Sequence, residues 1–396
     1  MEMDRDNSAL ALEAMLDLDH PIKTDAADFA RSRLTNPGTD AFDADRWAAA
    51  AEYGIQGLMI PTEYGGAGKS AVEGALTFEG LGAGCADNGF IFALAAQSFA
   101  MQRALITAGN DEQRSRWLTR LAAGTAIGSF AMSEPDAGSD TGAIATTATA
   151  TDDGFVLDGT KAWVTLAPVA DVIVVFATTD PSKGHWGINA FIVETERSGV
   201  EIGPVQTKMG INTCPFSEVT FADCAVTTDD LLGNPGAGGA IFTSAVEAER
   251  AFLYAAQMGS MERVMNLTIE RARSRRAYGQ PIGGFQAISH KIADMKLRHE
   301  SARLLIYKAA ELYDRGDGMT MAGALAKLQT SEMAVQSALD AMRVFGAEGY
   351  TTDAPVEAEL RDAIAGLTYS GTSEIARNLI ARMMRVDRPR PKRPAS

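Results

Sequence analysis

The spacing of apolar positions changes period twice along the chain. Up to about residue 125 they recur at helical spacing, as in FDADRWAAAAEYGIQGLMI, where Asp43 stands as an N-cap candidate. Residues 70–124 continue as two or three more helices, rich in Ala and Gly, a content that predicts close helix packing. From about 126 to 230 the period falls to two, in GFVLDGTKAWVT, DVIVVFATT, INAFIVETE, VEIGPV and SEVTFADCAV, with DDG, LDG and RSG as turn chemistry. After the Gly-rich link LLGNPGAGGA, long amphipathic segments return at 240–274, 284–315, 318–346 and 354–385. The pattern predicts an α+β chain in three parts. These are an N-terminal helical domain (1–125), a central β-sandwich or barrel domain (126–233) and a C-terminal four-helix bundle (234–385), followed by a basic, proline-rich, disordered tail (386–396).

Composition narrows the function. With 46% hydrophobic and 22% charged residues, the 396-residue chain reads as a soluble globular protein of two or three domains. The longest apolar runs read as strand-length, so no transmembrane helix and no membrane partner are expected, and MEMDRDNSAL lacks the pattern of a signal peptide. A net charge of −15 disfavours nucleic acid as a partner. Cys85, Cys214 and Cys224 lie far apart without metal spacing, which fits a reducing cytoplasm, and the four histidines include no i,i+4 pair for zinc.

Several motifs carry candidate chemistry. FAMSEPDAGSD (130–140) ends a strand near Met132 and Ser133, and Pro135, Gly138 and Ser139 then force a loop with exposed amides, suited to a polar ring edge or a phosphate. An ordinary strand-to-loop turn is the equal alternative. KAWVT puts Trp163 and Thr165 on one face of a strand, where Trp163 is either core or a surface for stacking. In LTYSGTSEIARNLI, Gly371, Thr372 and Ser373 make a polar entrance to an apolar helix, whose unpaired amides suit an anion or a carbonyl oxygen. In the helix beginning near Ala240, Phe242, Val246, Leu253 and Ala256 form a stripe that also carries Glu249. Its i±3 and i±4 neighbours Ala245, Val246, Phe252 and Leu253 cannot neutralise a carboxylate. Either Glu249 pairs with an arginine on another helix, or burial raises its pKa and makes it a base near neutrality.

Together FAMSEPDAGSD, GTKAWVT, RSRRAYGQPIGGFQAISHKIADM, RVFGAEGY and YSGTSEIAR resemble, in order and spacing, the signature motifs of the acyl-CoA dehydrogenase family, over roughly residues 40–385. The resemblance implies noncovalent FAD, the α/β/α fold of that family, and a homodimer or homotetramer. It places Phe130, Met132, Ser133, Trp163 and Thr165 at the flavin ring, and Gly138 and Ser139 at the pyrophosphate. Arg275, Tyr278 and Gln286 resemble positions that hold the FAD of the adjacent subunit, and Thr372 and Glu374 those at the adenosine end. Arg343 and Gly346 of RVFGAEGY fall at FAD positions too, although the family often has Gln and Gly where this chain has Arg343 and Ala347. Arg250 resembles a position near the pantetheine arm.

One residue departs from the common pattern. Much of the family carries a glutamate base where this chain has Ser370, and a serine hydroxyl is far too weak an acid to serve as its replacement. EAERAF resembles the isovaleryl and long-chain members, whose base stands at the position of Glu249. The resemblance therefore implies α,β-dehydrogenation of an acyl thioester, CoA- or carrier-protein-bound, with Glu249 as α-proton base and the flavin as hydride acceptor. Ser370 contributes its amide to the thioester oxygen, and electrons pass to an electron-transferring flavoprotein or similar acceptor. A flavin oxidase or monooxygenase on the same fold, and a noncatalytic binding module, are the alternatives.

Overall fold

The computed structural model describes residues 9–15, 17–35 and 38–386, so all of the expected tail except Val386 lies outside the described residues. The N-terminal helices begin where the sequence supplies caps. Asp43 accepts from the amides of Asp45 and Arg46, both at 3.0 Å, and opens Ala44–Tyr53. Ser70 and Glu73 form a reciprocal capping box at the head of Ala71–Gly84.

The next helical run is longer than its sequence suggests. Asn88–Ala96, a π-helical turn at Gln97–Met101 and Gln102–Ala108 join end to end. At 21 residues this run is long and apolar enough to cross a membrane, contrary to the strand-length reading. Yet 83% of its apolar window is buried inside the protein, where it serves as a core helix.

The β domain is an eight-stranded sheet: β1 (Gly128–Ala131), β2 (Thr147–Ala150), β3 (Gly154–Thr165), β4 (Val172–Thr178), β5 (Ile188–Glu194), β6 (Val200–Ile202), β7 (Phe216–Thr227) and β8 (Leu231–Leu232). Its order is β6-β7-β3-β2-β4-β5-β8, with β1 parallel to β4 from Gly128 opposite Val172. β4 is apolar up to its last residue, Thr178, because both its faces are covered. Val172, Val174 and Phe176 share a core with Trp117, Leu118 and Ile241 of the flanking helices, while Ile173 and Val175 pack with Leu157, Val219 and Phe221.

The C-terminal part holds helices Gly238–Ser274, Gln286–Asp314 and Thr320–Phe345. The segment expected as one fourth helix is two, Pro355–Ala365 and Ser373–Met383, broken over 366–372. Gly366, Gly371 and the Thr372 cap account for the break, since each favours a terminus over a helix interior. The expected close packing occurs between Ala71–Gly84 and Gly238–Ser274: a Cβ on Gly82 would stand 1.9 Å from the Ala256 carbonyl oxygen, and one on Gly259 2.0 Å from that of Glu79. Buried Glu79 ties the two helical parts together, accepting from Arg303 Nε at 3.0 Å and from the Tyr307 hydroxyl.

Candidate active site

A cavity of about 790 Å³ opens where the β domain meets both helical parts, within the ~300–1,000 Å³ common for ligand clefts. Its β wall begins at β1. Phe130, Met132, Ser133, Gly138 and Ser139 all line it, and Phe130 packs edge-on to Phe176 at 5.0 Å and parallel to Phe242 at 6.0 Å.

A buried ion pair holds the loop after β1. Lys161 Nζ donates to Glu134 Oε1 at 2.7 Å and to the Met132 carbonyl at 3.1 Å, while Glu134 also accepts from the amides of Ala145 and Thr146. Burial pushes the Glu134 carboxyl up, and Lys161 with these hydrogen bonds more than reverses that push. Burial brings Lys161 down to about 8 against the opposing pull of Glu134. Among the described residues the amides of Ser133, Gly138 and Ser139 have no acceptor, and a Cβ on Gly138 would meet nothing within 4 Å.

Trp163 is not core: its side chain is 52% exposed and lines the cavity together with Thr165. A register shift between Lys161 and Val164, with Trp163 at φ 54°, re-aims the ring. On the helical side the π-turn contributes Gln97, whose Oε1 accepts from the Gly128 amide at 2.8 Å and whose buried Nε2 has no partner.

Glu249, Arg250, Ser370 and Thr372 line the same cavity. Among the described residues no ion pair reaches Glu249, so the alternative of an interhelical salt bridge does not hold in this structure. Burial raises its carboxyl to about 6, with the nearby Ser370 hydroxyl and then Arg250 holding it from going higher. The Ser370 hydroxyl itself is buried without a hydrogen-bond partner, so its influence on Glu249 is one of proximity. Ser370 and Gly371 have left-handed backbones, φ 55° and 86°, and the Ser370 amide has no acceptor among the described residues. Thr372 caps the following helix, accepting from the Ile375 amide at 3.3 Å.

The remaining expected positions lie elsewhere. Arg275, Tyr278, Gln286, Arg343, Gly346 and Glu374 are exposed and do not line the cavity. Arg343 pairs with Asp340 at 3.0 Å, and Glu374 stands 3.5 Å from Arg377. Sequence reasoning missed Gln97, Phe92 and Tyr369, the last two forming a ring pair 4.7 Å apart at the cavity wall. Tyr369 directly precedes Ser370 and was findable; nothing marked Gln97 or Phe92 inside their apolar run.

The observed chemistry fits a flavin cofactor. Unpaired amides of the Gly138–Ser139 loop, an exposed indole, the Glu249 carboxyl and the free Ser370 amide all line one cavity. Comparison with known proteins agrees. An L-prolyl-[peptidyl-carrier protein] dehydrogenase of Pseudomonas fluorescens is 43% identical over 346 residues, 87% of this chain and 91% of that protein. The crystal structure of the prolyl acyl carrier protein oxidase AnaB superposes with a TM-score of 0.90 at 39% identity, covering 92% of this chain and 97% of that one. PigA with FAD and proline superposes with a TM-score of 0.88 at 33% identity, covering 97% and 98%. The acyl-CoA dehydrogenase N-terminal, middle and C-terminal domain models match residues 20–125, 129–224 and 236–385. The chain belongs to the acyl-CoA dehydrogenase family.

Proposed function

We propose that the protein is an FAD-dependent dehydrogenase that introduces an α,β double bond into a small acyl thioester, with a prolyl group on a carrier protein as its substrate. The observation that carries this reading is Glu249, an ion-pair-free carboxylate with a pKa of about 6, facing the same cavity as the unpaired Ser370 amide. Glu249 takes the α-proton, and the Ser370 N–H stabilises the negative charge that develops on the thioester oxygen. The β-hydrogen departs with its electron pair, leaving the unsaturated thioester. Bound FAD supplies the acceptor for that hydride. Met132, Ser133, Trp163 and Thr165 would hold the ring, and Gly138 and Ser139 the pyrophosphate. The Phe92–Tyr369 ring pair bounds the cavity near the base and suits a compact acyl group. The prolyl assignment is supported by the named activities of the relatives above.

Exposed Arg275, Tyr278 and Gln286 fit a role at the FAD of a neighbouring subunit, and hence a homodimer or homotetramer. The electron acceptor is an electron-transferring flavoprotein, and the compartment the cytoplasm. The similarity to an enzyme named as an oxidase supports a second reading, in which oxygen is the acceptor.

The test is anaerobic bleaching of flavin absorbance by prolyl-loaded carrier protein, prolyl pantetheine, butyryl-CoA and isovaleryl-CoA. Bleaching by the prolyl thioesters alone is expected. Preferential bleaching by the CoA esters overturns the prolyl assignment, and bleaching by none overturns the dehydrogenase reading. Aerobic peroxide release without added acceptor selects the oxidase.

A further inference from the structure

At the break between the last two helices, buried and half-buried side chains meet a run of backbone carbonyls. The single Tyr254 O–H hydrogen is shared between the Gly366 oxygen at 2.8 Å and the Tyr369 oxygen at 3.2 Å. Gln257 Nε2 donates to Ala363 O at 3.3 Å, Lys327 Nζ to Leu367 O at 3.3 Å, and Arg250 Nε to Ser370 O at 3.0 Å. Arg250, Tyr254 and Gln257 lie at i, i+4 and i+7 of Gly238–Ser274, so one face of one helix grips the turn. Tyr254 and Lys327 are fully buried. Burial keeps the Tyr254 phenol protonated by raising its pKa well above 10, so it remains a donor.

The Tyr369 carbonyl and the Ser370 N–H belong to the same peptide group. The chain has no cis peptide among the described residues, so in this trans plane the oxygen and the hydrogen point in opposite directions. A donor that fixes the oxygen therefore fixes the aim of the hydrogen. It also polarises the peptide, which strengthens the N–H as a donor. Arg250 holds the next peptide in the same way. With no partner on the Tyr369 oxygen, rotation of this peptide would turn its carbonyl toward the cavity, where it would repel a thioester oxygen.

We propose that the Tyr254 hydroxyl is a positioning residue for the reaction: it holds and polarises the Tyr369–Ser370 peptide so that the Ser370 N–H faces the thioester carbonyl. The proposal rests on the dehydrogenase reading above and adds a residue that touches neither substrate nor cofactor.

The test uses the FAD-loaded enzyme and an acetyl pantetheine thioester, which lacks a β-carbon and cannot be dehydrogenated, labelled with 13C at the carbonyl. Infrared difference spectra of the bound thioester read the hydrogen bond to its oxygen directly. Wild type should lower the carbonyl frequency relative to free thioester, and Tyr254→Phe should lose at least about half of that lowering. Its limiting rate of flavin bleaching by substrate should fall about tenfold or more, as when an oxyanion donor is weakened, while half-saturation changes less than about twofold. Lys327→Met, which removes a carbonyl partner from a different peptide, should leave the frequency unchanged. Should Tyr254→Phe fail to hold FAD, Tyr254→3-fluorotyrosine keeps the phenol and strengthens its O–H as a donor, and the lowering should deepen. Unchanged frequency and rate in Tyr254→Phe, or an unchanged frequency in the fluorotyrosine variant, overturn the proposal. A wild type that bleaches normally beside an unaltered variant overturns only the role of Tyr254. A wild type that neither bleaches nor lowers the frequency overturns the dehydrogenase reading itself.

Discussion

Glu249→Gln should trade activity for stability, and the structure sets the size of both changes. The Glu249 carboxyl ordinarily ionises near 4.5 and here near 6, chiefly because it is buried. At about 1.36 kcal/mol per pH unit, that difference amounts to roughly 2 kcal/mol. A carboxyl whose folded pKa is raised destabilises the fold when ionised. The penalty is absent below about pH 4.5, grows as pH rises to about 6, and stays constant above. Glutamine fills the same space without charge. Unfolding entropy near 2.1 cal/mol/K per residue gives about 0.8 kcal/mol/K for a chain of this length, so the variant should melt about 2–3 °C above wild type at pH 8 and level with it near pH 4.5. The same substitution should slow flavin bleaching by about 10²–10⁴-fold, the usual contribution of a general base. In wild type, the bleaching rate should rise through pH 6 to a plateau, because the base must be ionised. Calorimetry from pH 4.5 to 8 and anaerobic stopped-flow absorbance measure the two effects. A variant that bleaches at the wild-type rate refutes Glu249 as the base. One whose melting offset does not change with pH refutes the burial argument.

Lys161→Met should leave Glu134 buried beside amides but without its cation, at a cost of about 3–5 kcal/mol. The melting deficit should be largest near pH 7 and narrow toward pH 4 as Glu134 takes up a proton, and FAD should be released more readily on gel filtration. A deficit independent of pH would rule out the ion pair as its source. Gly82→Ala should cost about 1–3 kcal/mol or more, because its Cβ meets the Ala256 backbone rather than a movable side chain. Thermal melting should detect the loss with the pH profile of bleaching unchanged, and an unaltered melt would mean that the two helices can move apart.

The three-part plan was legible because it rests on periodicity, which also singled out Glu249 but left its role open. The strands GFVLDGTKAWVT and DVIVVFATT fall where alternation and apolar runs place them. Glu249 stood out as a carboxylate on an apolar stripe, which no intrahelical partner explained. Features set by tertiary contacts were not legible. Alternation alone puts Trp163 and Thr165 on one face, but the register shift against β7 that exposes the indole depends on how two distant strands pair. The ion pair between Glu134 and Lys161 joins residues 27 apart, and nothing in their local sequence links them. Nothing in the sequence marked Tyr254, since its hydrogen bonds go to residues more than 100 positions away. The break at 366–372 was visible as a polar entrance, yet the amphipathic pattern on both sides ran the two helices together.

The core shared by the two helical parts sets a schedule for folding. Its members run from Ala11 to Ala326, and the first half of helix Asn88–Ala108, from Phe90 to Phe99, lies inside it. During synthesis that apolar helix leaves the ribosome long before Gly238–Ser274 exists to cover it. At roughly 5–20 residues per second, the wait lasts on the order of 10–30 s. Throughout that interval the nascent chain offers a sticky surface that the finished protein never shows. A factor that shields residues 88–108 until Gly238–Ser274 arrives is therefore expected to raise the yield of folded enzyme.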